Sequence, residues 1–388
     1  MRLLIISGMP HHVRDGQVVG WGPTANEIDH LATLFASVRH VAPLHPGPGP
    51  KIALPYTASN IKFVPVPAAG GPRLRDKLRI LAAYPTYLFR MLKELPHADV
   101  VHVRCPDNIS LLAILLLARV IRPTTRWIKY AGNWQAYAGE PLSYRLQRRW
   151  LGRNLARAQV TVNGRWPGQP AHVHSFLNPC LTAEELQEGA TTGAQKRLQP
   201  PVQLLFVGRL EAAKGAGIAV EIVTQLQAAG IEASLDLIGE GSPADRQQFE
   251  QQARDLGVTG RVRFHGGLPR PALREFFRRA HFLVLPTNCS EGWPKVLSEA
   301  MAYGAVPLTT AISSIPQLLE EFGTGRALTE RSAAAFAAVI QEYLRNPAEW
   351  EQQSRRALVA AERFSYDNYL LAVRDLLKLP AEKELNHA

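Results

Sequence analysis

Two short constellations in the 388-residue chain combine residue types that could stabilise a departing phosphate and hold a sugar. The first is Gly208-Arg209-Leu210-Glu211-Ala212-Ala213-Lys214-Gly215, directly after the apolar run Val202–Val207. A strand ending in glycine would present Arg209 and Lys214 just ahead of a helix. A helix N-terminus exposes N–H groups and a partial positive charge, so two cations beside it suit a phosphate or diphosphate. The alternative is a pair of solvated surface cations. The run does not match GxxxxGK[ST], so it is not a P-loop. The second constellation is Glu291-Gly292-Trp293-Pro294-Lys295-Val296-Leu297-Ser298-Glu299. Gly292 allows close backbone approach, and Pro294 suits the first turn of a helix. Glu291 precedes that helix and Glu299 lies on it. Both carboxylates could accept hydrogen bonds from sugar hydroxyls, while the N–H groups near Gly292 and Trp293 could hold negative charge. The alternative makes Glu291 a cap and Glu299 a surface acid. The neighbours Leu297, Ala300 and Met301 place Glu299 at least partly inside.

These residues need strands and helices to position them, and the pattern supplies both. Strands are predicted at Arg2–Ile6, Ile61–Val66, Asp99–Val103, Arg126–Tyr130 and Gln159–Val162, with helical patterns between them. A glycine-containing loop is expected after the first strand, through Gly20-Trp21-Gly22-Pro23. Thr24 and Glu27 read as a capping box for the helix that follows. The pattern restarts with strands at Val202–Val207, Ala233–Ile238, Arg261–Phe264, His281–Leu285 and Ala305–Leu308. A helix is predicted over Trp293–Tyr303, closed by Gly304. Such alternation implies parallel sheets covered by helices, here two doubly wound α/β domains in tandem. The polar, Gly- and Pro-containing stretch Thr182–Pro201 reads as the boundary. The domains are then 1–185, joined by a C-terminal helix at about 364–388, and 200–363. In this class ligands bind beyond the carboxyl ends of the strands, and a cleft between two facing domains is the default site.

Composition narrows the function classes. Lys and Arg number 44 against 33 Asp and Glu, but the excess is one-sided. Residues 1–185 hold 22 cations against 10 acids, whereas 186–388 hold 22 against 23. The first half should attract an anionic partner. Arg73, Arg75, Lys77, Arg79, Arg90 and Lys93 surround Leu74, Leu78, Leu81, Leu88 and Phe89, with Pro85 dividing the stretch into two expected short helices. Arg145, Arg148, Arg149, Arg153 and Arg157 accompany Leu146, Trp150 and Leu151. Basic residues along an apolar stripe suit an anionic membrane surface; the alternative is an ordinary helix packing on the sheet. Nucleic acid is not an expected partner, because no helix-turn-helix, zinc or RNA-recognition signature occurs. The longest apolar run, Leu111–Ala118, is too short to span a bilayer. The run Leu3–Ile6 is too short for a signal-peptide core. A cytoplasmic chain, peripheral on the inner face of the membrane, is expected. Cys105, Cys180 and Cys289 form no CxxC and no metal-ligand spacing. His11 and His12 are expected in a solvated loop, and His40 and His102 in structural positions.

The Glu291-x7-Glu299 run, with Gly208-Arg209-Leu210 and Lys214-Gly215, resembles the retaining glycosyltransferases of family 4. Leu237-Ile238-Gly239-Glu240-Gly241 and Val262-Arg263-Phe264-His265-Gly266 extend that resemblance across 202–308. It implies a GT-B fold with two Rossmann-like domains facing a cleft and a last helix crossing back to the first domain. It also implies a nucleotide-diphosphate sugar, UDP- or GDP-linked, as co-substrate. Arg209 and Lys214 would neutralise the diphosphate, and Glu291 would contact the donor sugar. Glu299 would take the ribose hydroxyls. Gly208, Glu240, Gly241, Phe264, His265, Gly292, Trp293, Pro294, Lys295 and Val296 would border the donor. Gly20, Gly22 and Asn133 would face a glycan or lipid-linked acceptor in cell-surface polysaccharide synthesis. With those cations in place and no Asp-x-Asp in the chain, no metal or other cofactor is expected. Two departures from the family stand out. Where a His commonly follows the first-domain strand, this chain has Lys129-Tyr130-Ala131-Gly132-Asn133-Trp134, and the usual Gly-Gly-x-x-Glu is Ser313-Ser314-Ile315-Pro316-Gln317. A non-catalytic relative keeping the fold is the competing reading; the intact Arg209, Lys214, Glu291 and Glu299 argue against it.

Overall fold

The computed structural model of the chain describes residues 1–71, 74–137, 139–289 and 291–380. The chain forms two compact units, Met1–Leu177 with Asn368–Ala388, and Asn178–Asp367.

The first unit runs β1 (Arg2–Ser7), β2 (His11–Arg14), β3 (Gln17–Trp21), α1 (Gly22–Ala32), β4 (Ser37–Leu44), β5 (Ala53–Pro55) and β6 (Ile61–Pro67). It continues through α2 (Leu74–Glu94), β7 (Val100–Cys105), α3 (Asn108–Leu117), β8 (Thr125–Tyr130), α4 (Leu142–Gly152), β9 (Gln159–Val162) and β10 (Val173–Ser175). Its parallel core follows the order β6-β4-β1-β7-β8-β9-β10. Strand β4 was not anticipated. Its polar Ser37, Arg39 and His40 break the apolar run, yet His40 is fully buried beside β1.

Several expectations for this unit are corrected. The loop after β1 is an antiparallel β2–β3 hairpin that places Gly20 opposite His11. A Cβ on Gly20 would meet Met9, and one on Gly22 would meet the Ile52 carbonyl, so both glycines serve close packing. The Thr24/Glu27 capping box does not form. Helix α1 starts at Gly22 with Pro23 in its first turn, and buried Glu27 instead accepts from Arg104 (2.8 Å) and Lys129 (2.6 Å). Pro85 does not divide α2. The missing hydrogen bond costs about 3 kcal/mol, but Ala83, Tyr87 and Met91 remain buried on one face across the proline. Arg73 lies outside the described residues.

His11 is buried, not solvated. Its Nε2 lies 2.7 Å from the Tyr56 hydroxyl, which also reaches His40 Nδ1 at 2.8 Å; His40 Nε2 in turn meets Ser7 Oγ at 2.7 Å. Burial pushes His11 down to about 4 and holds His40 and His102 well below the ordinary histidine value, with Arg104 adding to both of the latter. These rings are neutral in the folded chain but take protons when unfolded, once the pH drops below about 6.5. Stability is therefore intact above that value and falls toward pH 4, by roughly 2 kcal/mol at pH 5 for His11 alone. Asp107, raised by burial to about 6, and Glu299, also raised by burial, work in the opposite sense, whereas His281, lowered by burial to about 4, adds to the three histidines. The urea midpoint should drop markedly between pH 7 and pH 5; a constant midpoint would contradict this account.

The second unit runs α5 (Ala183–Gly193), β11 (Val202–Val207), α6 (Ala216–Ala228), β12 (Ala233–Ile238), α7 (Pro243–Asp255), β13 (Val262–Gly266) and α8 (Arg270–Arg279). Then come β14 (Phe282–Leu285), α9 (Lys295–Met301), β15 (Val306–Thr310), α10 (Ile315–Phe322), β16 (Arg326–Leu328), α11 (Ala333–Arg345) and α12 (Pro347–Ala361). All neighbouring strands are parallel, in the order β13-β12-β11-β14-β15-β16. The stretch expected as a linker contains α5. Thr182 and Glu185 form a true capping box there, and Gly189 and Gly193 let the helix close on the Ala302–Tyr303 backbone. Helix α9 is shorter than expected. Pro294 delays its start, and the chain leaves it in a turn closed by Gly304 at φ +72°.

The last helix, α13 (Tyr366–Leu377), returns to the first unit. There Tyr369, Val373 and Leu377 are buried in that unit's core with Ile28, Leu31 and Trp127. Residues 381–388 lie outside the described residues.

Candidate functional site

Read in chain order, the second unit's strands lie third, second, first, fourth, fifth and sixth across the sheet. The order reverses between β11 and β14. In doubly wound sheets, the two loops leaving such a reversal diverge to opposite faces and open a crevice at the strand ends. The two sequence constellations leave these same two strands. The loop after β11 carries Gly208, Arg209 and Lys214, and the loop after β14 carries Glu291.

The crevice is built by cross-bracing. Asn288 N donates to Ala213 O (2.9 Å), and Arg331 donates to Pro286 O (2.7 Å) and Ala212 O (2.7 Å). Gly215 takes φ +87° at the N-cap of α6, and a Cβ there would lie 2.1 Å from Pro286 O. No larger residue would let α6 start so close to β14. Lys214 and Glu291 form an ion pair across the crevice; the Lys214 side chain is mostly buried and that of Glu291 is 36% exposed. Arg209 is open, 67% exposed, with one ion pair to Glu211 at 2.9 Å. No acid sits in the first turn of α6. The loop therefore offers one exposed cation, one anchored cation and a helix N-terminus with no acid in its first turn.

Backbone packing links the neighbouring strand ends. Gly208 N donates to Ile238 O (2.9 Å), Leu210 N to Glu240 O (3.0 Å) and Gly239 N to Gly266 O (2.9 Å). A Cβ on Gly239 would lie 1.8 Å from Gly208 O, and one on Gly241 2.7 Å from Leu210 O. Glu240, Gly241 and Phe264 therefore stand on one rim with Gly208 and Arg209. His265 shares that rim, but its ring is committed: Nε2 contacts Asp236 Oδ1 at 2.6 Å, and the ring packs edge-on against Phe276.

Glu291-to-Glu299 divides its work. Trp293 is buried, stacked on Phe364 with rings 10° apart, and its Nε1 donates to Ser298 Oγ (2.7 Å). Only its backbone can face a ligand. Ser314 Oγ donates to Gly292 O (3.2 Å), which fixes that turn from the segment departing from the family pattern. Pro294, Lys295 and Val296 open α9 half-buried. Glu299 is not a free surface acid. Its Oε1 accepts from Arg270 Nη1 (2.9 Å), and Arg270 also binds Glu185 through Nε (2.8 Å) and Nη2 (2.9 Å) and donates to the Cys180 carbonyl. Burial raises the Glu299 carboxyl, and the charges of Arg270 and Lys295 offset this only in part.

Arg270 and Arg331 were missed in the sequence. Each is one arginine in a polar loop or helix start, and no spacing rule marks it. In the first unit, Asn133 is buried and its Oδ1 accepts from Gln135 N (3.0 Å), a local turn after β8. Among the described residues, no group of three or more His, Cys, Asp or Glu is placed to hold a metal ion. A depression lined by Glu221, Gln248 and Gln252 lies between α6 and α7, away from the strand ends, and its lining contains no cation.

Residues 193–362 match the family model of glycosyl transferases group 1. The matched region contains the whole crevice and nearly all of the second unit. The chain is 29% identical over 233 residues to D-inositol 3-phosphate glycosyltransferase 1 of Catenulispora acidiphila, covering 57% of this chain and 55% of that protein. It is 32% identical over 167 residues to glycogen synthase of Mycobacterium tuberculosis, covering 43% and 39%. The chain thus spans about half the length, or less, of the curated relatives it matches. Among solved structures, sucrose-phosphate synthase from Thermosynechococcus elongatus superposes with a TM-score of 0.70 at 17% identity, covering 97% of this chain and 98% of that one. Anabaena HepE, solved in complex with UDP, superposes with a TM-score of 0.67 at 14% identity, covering 97% and 100%. The chain has the GT-B glycosyltransferase fold, two Rossmann-like units each with its own sheet. Among the described residues, no helix is long and apolar enough to cross a membrane.

Proposed function

We propose that this chain transfers a sugar, with retention of configuration and without a metal ion, from a nucleotide-diphosphate sugar to a hydroxyl of a glycan or lipid-linked acceptor. The observation that carries the proposal is the switch-point crevice, where the loop carrying Arg209 and Lys214 leads into the N-terminus of α6 and Lys214 pairs with Glu291. The group 1 match over this region and the UDP-bound neighbour support a nucleotide-sugar donor, with UDP the first candidate.

In this reading the bond between the anomeric carbon and the diphosphate oxygen breaks, and negative charge grows on the leaving group. Arg209 closes on the diphosphate, while Lys214 and the α6 N–H groups hold it from below. Such preorganised charge is the largest catalytic term available to the site. The acceptor oxygen bonds to the same face of that carbon, and its proton passes to the departing phosphate. Glu291, steadied by Lys214, orients the donor sugar. Glu299 gives Oε1 to Arg270 and uses Oε2 for the ribose hydroxyls. The rim at Glu240–Gly241 and Phe264 borders the base.

A thermal-shift series with UDP, GDP and ADP, each with and without EDTA, tests the donor half of this reading. A ligand at 1,000 times its Kd stabilises by about 4 kcal/mol. One diphosphate should raise Tm equally with and without EDTA. No shift with any nucleotide would favour a non-catalytic relative, and a shift abolished by EDTA would overturn metal independence.

A further inference from the structure

Helix α2 buries one face and leaves the opposite face apolar. Ala83, Tyr87 and Met91 are buried in the first unit's core. On the outer side, Leu78, Leu81 and Phe89 are each 62% exposed and Leu92 is 46% exposed, with Pro85 exposed between them. At 3.6 residues per turn these five positions fall within roughly 80° of arc and extend about 21 Å along the helix. A water-facing helix of this length carries polar residues on that arc. Here the stripe is continuous, and no described residue covers it.

Charge identifies the occupant. Residues 77–93 contain four cations and no acid. Arg79, Arg90 and Lys93 flank the stripe, and no described carboxylate pairs with them. The acid ending the helix, Glu94, is buried and paired with Arg39. Helix α3 packs between α2 and α4, so α4 belongs to the same helical layer. That helix adds Leu142, 73% exposed, and Leu146, 45% exposed, beside Arg145 and Arg149. A second copy of the chain would bring the same uncompensated cations face to face. An apolar stripe edged by cations matches a surface with negative headgroups over a hydrocarbon interior.

We propose that the outer face of α2 is a docking surface for an anionic phospholipid bilayer, with Leu78, Leu81, Phe89 and Leu92 inserted at the headgroup boundary and Arg79, Arg90 and Lys93 on the phosphates. The proposal stands apart from the transfer reaction, and its test needs no turnover.

The test is co-sedimentation of the full chain with vesicles of equal parts phosphatidylglycerol and phosphatidylcholine, against phosphatidylcholine alone. Binding should appear with the anionic vesicles and weaken with added salt. Each cation contributes about fivefold, so Arg79→Gln/Arg90→Gln/Lys93→Gln should lower partitioning by roughly 100-fold. Leu81→Glu/Phe89→Glu should abolish binding with Tm unchanged, because both side chains are exposed. Equal binding to neutral vesicles, no binding to either, or retention by the Leu81/Phe89 variant would overturn the proposal. So would a stable dimer, seen by light scattering without lipid, that the same variant converts to monomer.

Discussion

Arg209→Ala should lower kcat by about 100- to 1,000-fold, the usual cost of one preorganised electrostatic contact to a transition state. The expectation rests on where Arg209 sits. It leaves β11 at the switch point, ahead of α6, and its side chain is 67% exposed with a single ion pair to Glu211. Its removal costs the fold little, since exposed ion pairs contribute at most about 1 kcal/mol. Lys214→Ala should show a similar kinetic loss, but it also leaves Glu291 without its partner, so Arg209 gives the cleaner measurement. Steady-state kinetics with the donor that the thermal shifts identify will decide. A fall in kcat and kcat/KM together places the interaction in the transition state. A raised KM with unchanged kcat would remove Arg209 from the leaving-group role.

Arg270→Met should destabilise the chain by about 3 kcal/mol, the lower end of the cost of breaking a buried ion pair from one side. Arg270 joins Glu185 on α5 to Glu299 on α9, and it also satisfies the Cys180 carbonyl. Burial alone would raise the Glu185 carboxyl, yet the Arg270 hydrogen bond and charge hold it below its ordinary value. Without the guanidinium, two carboxylates face each other with little water. For a unit of this size each kcal/mol moves Tm by about 2–4 °C, so calorimetry should show a drop of roughly 10 °C. Adding Glu185→Gln to Arg270→Met should recover part of that loss, because it removes one of the stranded charges. A Tm within a degree of the parent would refute the clamp.

Legibility followed the range of the interactions involved. The strands at Val202–Val207 and Ala233–Ile238 were read to the residue, because unbroken apolar runs ending in glycine have few other folds available. β4 was missed because its buried His40 looks polar until Ser7 and Tyr56 are found beside it. His11 was misplaced for the same reason. Pro85 was read by its local rule and overruled by the residues that α2 buries on both sides of it. Thr24 and Glu27 had the spacing of a cap, but the buried cations Arg104 and Lys129, distant in sequence, claim the carboxylate.

The sequence by itself determined the class of fold, the two constellations and the one-sided charge, since each depends on residue type and on spacing along the chain. Only the tertiary structure decided that both constellations leave the two strands where the sheet order reverses. Strand order is set by which apolar faces pack together, and residues far apart in the chain make that choice. It also decided that Glu299 is clamped, that His265 is committed to Asp236, and that the basic stripe of α2 divides into one buried and one bare apolar face. A helical pattern shows that a face is apolar. What lies against that face depends on every other element of the fold.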